Sequence, residues 1–345
     1  MNGPSPIPLL RVSHLRSFIR AMDMVGLPCE QLLKEARLPV LIQDEPDLFV
    51  AERFVWNLSA HAARRAGMED FGSHVARLSP IWKSEPAVIA AMVLMPTLRS
   101  GLQQFCQLAK HVSTGPGYRL QRIDGAWVFC HLNWPGVDDH GQIDLYTLAL
   151  MTQVVQCVSR TEWQPSKVYV RRSNVRLVVA SEQFCGCHVR PSNEFTGIVV
   201  PDEDLAQGMD ASSALVRAQS LPSPIALNLL DAMRLALRSY MKDGRPGVEL
   251  AAEIAGVSER TFQRRLQAFN LNYTGLLDQV RFEEARGRLH AGDSNITEIA
   301  FDLGFTDVAH FTRAFRRWSG MAPSEFRRRR DRSSAGVTEL AHALA

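Results

Sequence analysis

The sequence predicts an α+β domain over residues 1–218, a linker at 219–228, an all-α domain at 229–330 with two helix-turn-helix units joined by a linker helix, and a flexible tail at 331–345. Three observations carry this division. The 345 residues suit two domains, because one domain usually takes roughly 100 to 200. The period of the apolar pattern passes from near four to near two and back again along the chain. Finally, one stretch of the C-terminal part repeats an earlier one 48 residues away.

Bulk composition bounds the rest. With 46% hydrophobic and 22% charged residues, the chain can bury a sizeable core and does not read as disordered. From Leu221 onward there are 18 Lys and Arg against 15 Asp and Glu, whereas the preceding residues hold 21 of each. The whole net charge of +3 therefore sits in the last third, where a basic surface would suit a phosphate backbone. The most apolar run, VIAAMVLM at Val88 to Met95, is far shorter than the roughly 20 residues that cross a bilayer. The N-terminal MNGPSPIPLLRVSHLR lacks a basic region followed by a long apolar run, so a cytoplasmic protein with no membrane partner is expected. Six scattered cysteines fit free or buried thiols better than a disulfide framework.

The N-terminal elements follow in order. From Pro8 to about Leu78 the pattern is helical, with LPCEQLLKEARLP as a short helix between prolines. FVAERFVWNLSAHAARRAG carries Phe54, Leu58 and Ala62 at helical spacing. A helical pair spans roughly Glu85 to His111, broken at Pro96. GYRLQRIDGAWVFCHLNW then alternates around Asp124-Gly125, a hairpin signal. A helix over about Ile143 to Arg160, a strand at Lys167 to Arg172 and a mixed segment ending GIVVPDEDL complete the domain. QSLPSPIALN, with two prolines at the charge boundary, marks the linker, and everything beyond Pro224 to Arg330 is helical in pattern.

Within that last part, Ala252, Gly256, Val257 and Ser258 match Ala300, Gly304, Phe305 and Thr306. After one inserted residue, Phe262, Arg264, Leu266 and Phe269 match Phe311, Arg313, Phe315 and Trp318. Each copy has the chemistry of a helix-turn-helix. A small alanine lets two helices approach, glycine takes a left-handed turn position, and Ser258 or Thr306 can cap the following helix. Phe262 and Leu266, or Phe311 and Phe315, fall at i and i+4 on the buried face. Outward positions would be Arg260, Gln263 and Arg264 in the first recognition helix, about Glu259 to Phe269. In the second, about Val308 to Trp318, they would be His310, Thr312, Arg313 and Arg316, with Val308 at its start. These offer donors and an apolar contact to base edges and phosphates. The helix between the copies, Thr274 to His290, would span about 25 Å, the order needed to set two such helices in successive major grooves about 34 Å apart.

These residues resemble the AraC/XylS family of bacterial transcription regulators. ITEIAFDLGFTDVAHFTRAFRRWSGMAPSEFR (Ile296 to Arg327) carries most of the likeness, closing on Gly320, Pro323 and Phe326; ERTFQRRL is a familiar looser form of the first unit. The leading helices and FCGCHVRPSNEFTGIVVP resemble the arabinose-binding-like N-terminal domain found in some of these regulators. The resemblance implies a DNA-binding transcription regulator with promoter DNA and RNA polymerase as partners. It also implies a small-molecule effector in an N-terminal domain that dimerises. Three alternatives stay open: an N-terminal domain that only dimerises, a methyl-accepting DNA-repair regulator, and a constitutive DNA-binding architectural protein. The second needs an activated thiolate, and no paired-cysteine zinc module stands near the N-terminus.

Other chemistry is thinner. Cys185, Cys187 and His188 lack the spacing of a structural zinc pair and a second cysteine pair, so no metal and no cofactor are expected. Asp138 to Asp144, DDHGQID, reads as a solvated loop. No Gly-rich phosphate loop or nucleophile elbow stands out, so no enzyme is expected. Trp56, Trp82, Trp127, Trp134 and Trp163 could line a cavity or simply fill a core. The tail RRRRDR, Arg327 to Arg332, either adds phosphate affinity or is a solvated end.

Overall fold

A computed structural model describes residues 7–41, 45–115, 117–133, 141–159, 162–209, 228–292 and 294–329. The chain divides into two compact units between Asn228 and Leu229. The expected linker, apart from Asn228, lies outside the described residues, as do the tail beyond Arg329 and residues 138–140 of DDHGQID.

The first unit opens with β1 (Leu9–Arg11), which runs into α1 (Val12–Met24) and α2 (Cys29–Glu35). β2 (Phe49–Ala51) returns to pair antiparallel with β1, Leu9 opposite Ala51. This small sheet interrupts what the sequence presents as continuous helix, because three residues are too few to show alternation. α3 (Glu52–Ala66), α4 (Phe71–Leu78), α5 (Ile81–Ser84), α6 (Pro86–Val93) and α7 (Leu98–Leu108) follow. Pro96 does separate two helices: Thr97 caps α7 in a reciprocal box with Ser100.

β3 (Tyr118–Ile123) and β4 (Ala126–Leu132) form the expected hairpin, with Ile123 opposite Ala126. Asp124 and Gly125 both have positive φ, 50° and 81°, the requirement of the tight turn that an Asp-Gly pair favours. Next come α8 (Gly141–Ser159), β5 (Lys167–Val170), α9 (Val175–Ala180), β6 (His188–Pro191), β7 (Phe195–Val199) and α10 (Asp202–Leu205). The larger sheet has the order β3-β4-β7-β5-β6, antiparallel except for the parallel β5–β6 pair. α8 packs against α3, α4 and β7. Leu145, Leu148, Ala149, Met151, Val154 and Val155 are all buried, so this helix forms the middle of the core. No helix among the described residues is long and apolar enough to cross a membrane.

The second unit is helical throughout its described residues: α11 (Leu229–Tyr240), α12 (Val248–Ile254), α13 (Glu259–Gln267), α14 (Tyr273–Ala291), α15 (Ile296–Asp302) and α16 (Val308–Ser319), then a helical stretch over 323–329. The connecting α14 has 19 residues and is about 28 Å long at 1.5 Å per residue. Asn272 caps its start through Gly275 N at 2.8 Å. Buried Ala285 and Leu289 of α14 meet Ile299, Ala300, Leu303, Phe311 and Phe315 in one cluster, with Phe282, Phe305, Trp318 and Phe326 packed around it.

Candidate nucleic-acid interface

Both repeats close with the same main-chain device. In the first, Gly256 N donates to Glu253 O and Val257 N to Ala252 O, at 3.0 and 3.1 Å. In the second, Gly304 N donates to Phe301 O and Phe305 N to Ala300 O, at 2.9 and 3.0 Å. This paired closure needs a left-handed residue, and Gly256 and Gly304 have φ of 65° and 71°. Gly304 is constrained a second way, since a Cβ there would lie 3.2 Å from Gly244 C and O. The loop between α11 and α12 thus sits directly on the second turn.

The caps differ. Ser258 Oγ accepts from Thr261 N at 3.3 Å, as expected. In the second unit the cap is Asp307, whose Oδ1 accepts from His310 N at 2.7 Å, and not Thr306, which stays exposed in the turn. The residue inserted between the repeats therefore lengthens the turn by one. Asp307 is shifted below its usual carboxylate value, first by that backbone hydrogen bond.

Phe262 and Leu266 of α13, and Phe311 and Phe315 of α16, are fully buried. Phe315 sits 5.7 Å from Phe282, 5.8 Å from Phe311 and 5.5 Å from Phe326 between ring centroids. On the other side of α13, Arg260, Gln263 and Arg264 are exposed together at i, i+3 and i+4. On α16, Arg313, Arg316 and His310 are exposed and Thr312 is half-buried. Val308 falls with the buried stripe instead, half-buried against the aromatic cluster. Phe269, the counterpart of half-buried Trp318, is 42% exposed, because it follows the end of α13 and does not lie on its apolar face.

Two arginines that look equivalent in sequence are committed elsewhere. Arg317 pairs with Asp278 of α14 at 2.8 Å. Arg281 of α14 is 6% exposed, its guanidinium 4.6 Å from the Phe305 ring centre and its Nη2 3.4 Å from Gly304 O. Burial lowers its proton affinity. Nothing in VRFEEARGR distinguishes this buried arginine from a solvated one.

The first unit contains a cavity of about 60 Å³, lined by residues from α1, α3, α7, β3, β4 and α8 among others. Its polar lining includes His14, Glu52, Glu85, Ser113 and Tyr146. Glu52, at the first position of α3, is 6% exposed, and Ser113 Oγ donates to it across a long 3.4 Å. Desolvation raises Glu52 from 4.5 to about 7. His14 Nε2 and the Tyr146 hydroxyl share a hydrogen bond of 2.6 Å. His14 Nδ1 lies 3.6 Å from Glu85 Oε1 and has no hydrogen-bond partner.

Of the tryptophans, Trp56 lines this cavity, Trp82 is 43% exposed and Trp127 lies beneath Arg99 and Arg122. Trp163 Nε1 donates to Asp204, and Trp134 is outside the described residues. Cys185 is exposed, while Cys187 Sγ donates to Pro165 O at 2.9 Å. No cluster of metal-ligating side chains occurs among the described residues.

Comparison with known proteins agrees with both halves. Residues 251–329 match a helix-turn-helix domain model. Residues 26–209 match the model described as the arabinose-binding domain of AraC transcription regulator, N-term. The chain is 22% identical over 334 residues to the HTH-type transcriptional regulator VirS of Mycobacterium tuberculosis strain H37Rv, covering 92% of this chain and 96% of that protein. Over 82 residues it is 39% identical to the ornithine utilization regulator of Pseudomonas aeruginosa, 24% of each chain. Among solved structures, the transcriptional regulator CdpR of Pseudomonas aeruginosa aligns with 90% of this chain and 97% of its own, at 18% identity and a TM-score of 0.38.

Proposed function

The chain belongs to the AraC family of DNA-binding transcription regulators, and from that premise we propose that a small molecule held in its first unit controls how it occupies promoter DNA. The observation that carries ligand control is the cavity beneath α1 and α3: a mostly apolar enclosure with a few converging polar groups is the usual form of a small-molecule site. A unit that served dimerisation alone would have no use for a buried carboxylate and a buried imidazole nitrogen without a hydrogen-bond partner, since both oppose folding.

The DNA-contacting side chains are Arg260, Gln263 and Arg264 of α13 and His310, Thr312, Arg313 and Arg316 of α16. Their common faces support this assignment, as do the exposure of all but Thr312 and the absence of a side-chain hydrogen bond or ion pair for Arg260, Gln263, Arg264, Arg313 and Arg316 among the described residues. Val308 keeps only its exposed part for an apolar contact. Arg or Gln donors suit guanine and adenine edges in the major groove. RNA polymerase is the partner through which occupancy alters transcription, and the regulator works as a homodimer in the cytoplasm.

Footprinting of the full chain on the DNA flanking its own gene, with and without a metabolite library, tests this reading. A defined footprint of about two helical turns per chain, changed by a compound that also raises the unfolding temperature, is expected. A footprint indifferent to every stabilising compound would leave the dimerisation-only alternative standing.

A further inference from the structure

The cavity's charge pattern restricts what it can hold. Glu52 and Glu85 are both in its lining, and among the described residues the lining includes no lysine or arginine. Inside a low-dielectric enclosure, an ionised carboxylate requires a counter-charge or several donated hydrogen bonds. Glu52 has one long bond from Ser113; Glu85 has Ser13 Oγ at 3.4 Å and a His14 nitrogen 3.6 Å away. A ligand carboxylate or phosphate would add a like charge to this pair. A neutral alcohol would donate a single hydrogen bond and leave the charge unbalanced. An ammonium group supplies a positive charge and three donors at once. The rest of the lining, with Phe18, Trp56 and Phe105, is suited to a short hydrocarbon. A cavity of about 60 Å³ suits a small occupant.

We propose that this cavity binds a small alkylammonium ion, its charged group held by the carboxylates of Glu52 and Glu85 and its chain against Phe18, Trp56 and Phe105. The proposal rests on the ligand-control reading above and specifies its chemical class. Desolvation by burial raises Glu52 to about 7, in accord with a carboxyl group held away from water and beside no lysine or arginine of the described lining.

The test uses the full-length protein at pH 8 with three probes sharing a three-carbon chain: propylammonium chloride, propan-1-ol and sodium propanoate, at matched ionic strength. At that pH an alkylamine with a lysine-like value of about 10.4 is charged. Propylammonium should raise the unfolding midpoint of the first unit saturably. Propan-1-ol should half-saturate at a concentration at least about tenfold higher, and propanoate should give no saturable shift. Glu52→Gln should abolish the preference for propylammonium over propan-1-ol. Calorimetric titration of the same samples guards against a midpoint that is insensitive to weak binding. An equal response to propylammonium and propan-1-ol, an undiminished preference in Glu52→Gln, or no binding by either method overturns the proposal. DNA footprints of the same samples separate its failure from that of the parent reading. Amine binding that leaves the footprint unchanged would refute ligand control while preserving the cavity's specificity. An intact, effector-responsive footprint without amine binding would do the reverse.

Discussion

Glu52→Gln should make the ligand-free protein more stable at pH 8 and change it much less at pH 5. Glu52 is 6% exposed, and burial lifts it from 4.5 to about 7. The folded state therefore binds the Glu52 proton more tightly than the unfolded chain does. As pH rises through 4.5 the unfolded chain releases that proton while the folded protein keeps it until about 7, so stability falls across this window and levels off above it. Each unit of difference corresponds to about 1.4 kcal/mol, which gives a loss of about 2 to 3 kcal/mol between pH 5 and 8. Glutamine has nearly the same shape and cannot ionise, so it removes this slope. Other groups share the cavity: His14 from α1, Glu85 before α6, Tyr118 from β3, His131 from β4 and Tyr146 from α8. The informative quantity is consequently the difference between wild type and variant at each pH. Urea unfolding followed by tryptophan fluorescence can report it, because five of the six tryptophans precede the second unit. Parallel stability curves from pH 5 to 8, or a variant less stable than wild type at pH 8, would refute the view that Glu52 is an uncompensated buried carboxyl.

Three further outcomes follow from the second unit. Arg264→Ala or Arg313→Ala should each cost about 1 to 3 kcal/mol of specific DNA binding if the side chain reads a base in bidentate fashion; an equal loss on random DNA in a fluorescence anisotropy titration would make it a phosphate contact. Phe315→Ala removes a fully buried ring from the aromatic cluster and should destabilise that unit by about 3 to 5 kcal/mol; Trp318 fluorescence, the single indole beyond Leu229, would show an unchanged urea midpoint if the cluster were dispensable. Asp307→Ala should lower the same midpoint while Thr306→Ala leaves it in place, and the reverse order would return the cap to Thr306.

The features legible in the sequence are those encoded over a few neighbouring residues. Asp124-Gly125 announces its turn because both residues accept positive φ. Ala252-Gly256 and Ala300-Gly304 announce theirs because the closure requires a small residue and a glycine at fixed spacing. β1 and β2 escaped because their pairing partners lie some 40 positions apart in the sequence and each strand has three residues. Thr306 and Asp307 are adjacent residues, both able to cap; only the backbone hydrogen bond decides between them. The cavity is harder still, since residues from at least six elements meet there. One local signal existed: in FVAERFVW a carboxylate interrupts a run of side chains that all prove to be buried apart from Arg53. Arg281 gave none, because an arginine covered by a phenylalanine from a turn some two dozen residues away is indistinguishable in sequence from one in water.

The identical turn closures of the two repeats bear on how such a protein can change its target. Both turns are held by main-chain bonds, a glycine, a buried alanine and one cap, and the proposed reading helices are anchored on their inner faces through Phe262 and Leu266 in one and Phe311 and Phe315 in the other. None of these groups includes the exposed Arg260, Gln263, Arg264, Arg313 or Arg316. Substitutions at exposed positions without a structural duty usually alter stability by less than about 0.5 kcal/mol. The outward letters of each helix can be rewritten, in a lineage or in a library, while the scaffold that presents them stays the same.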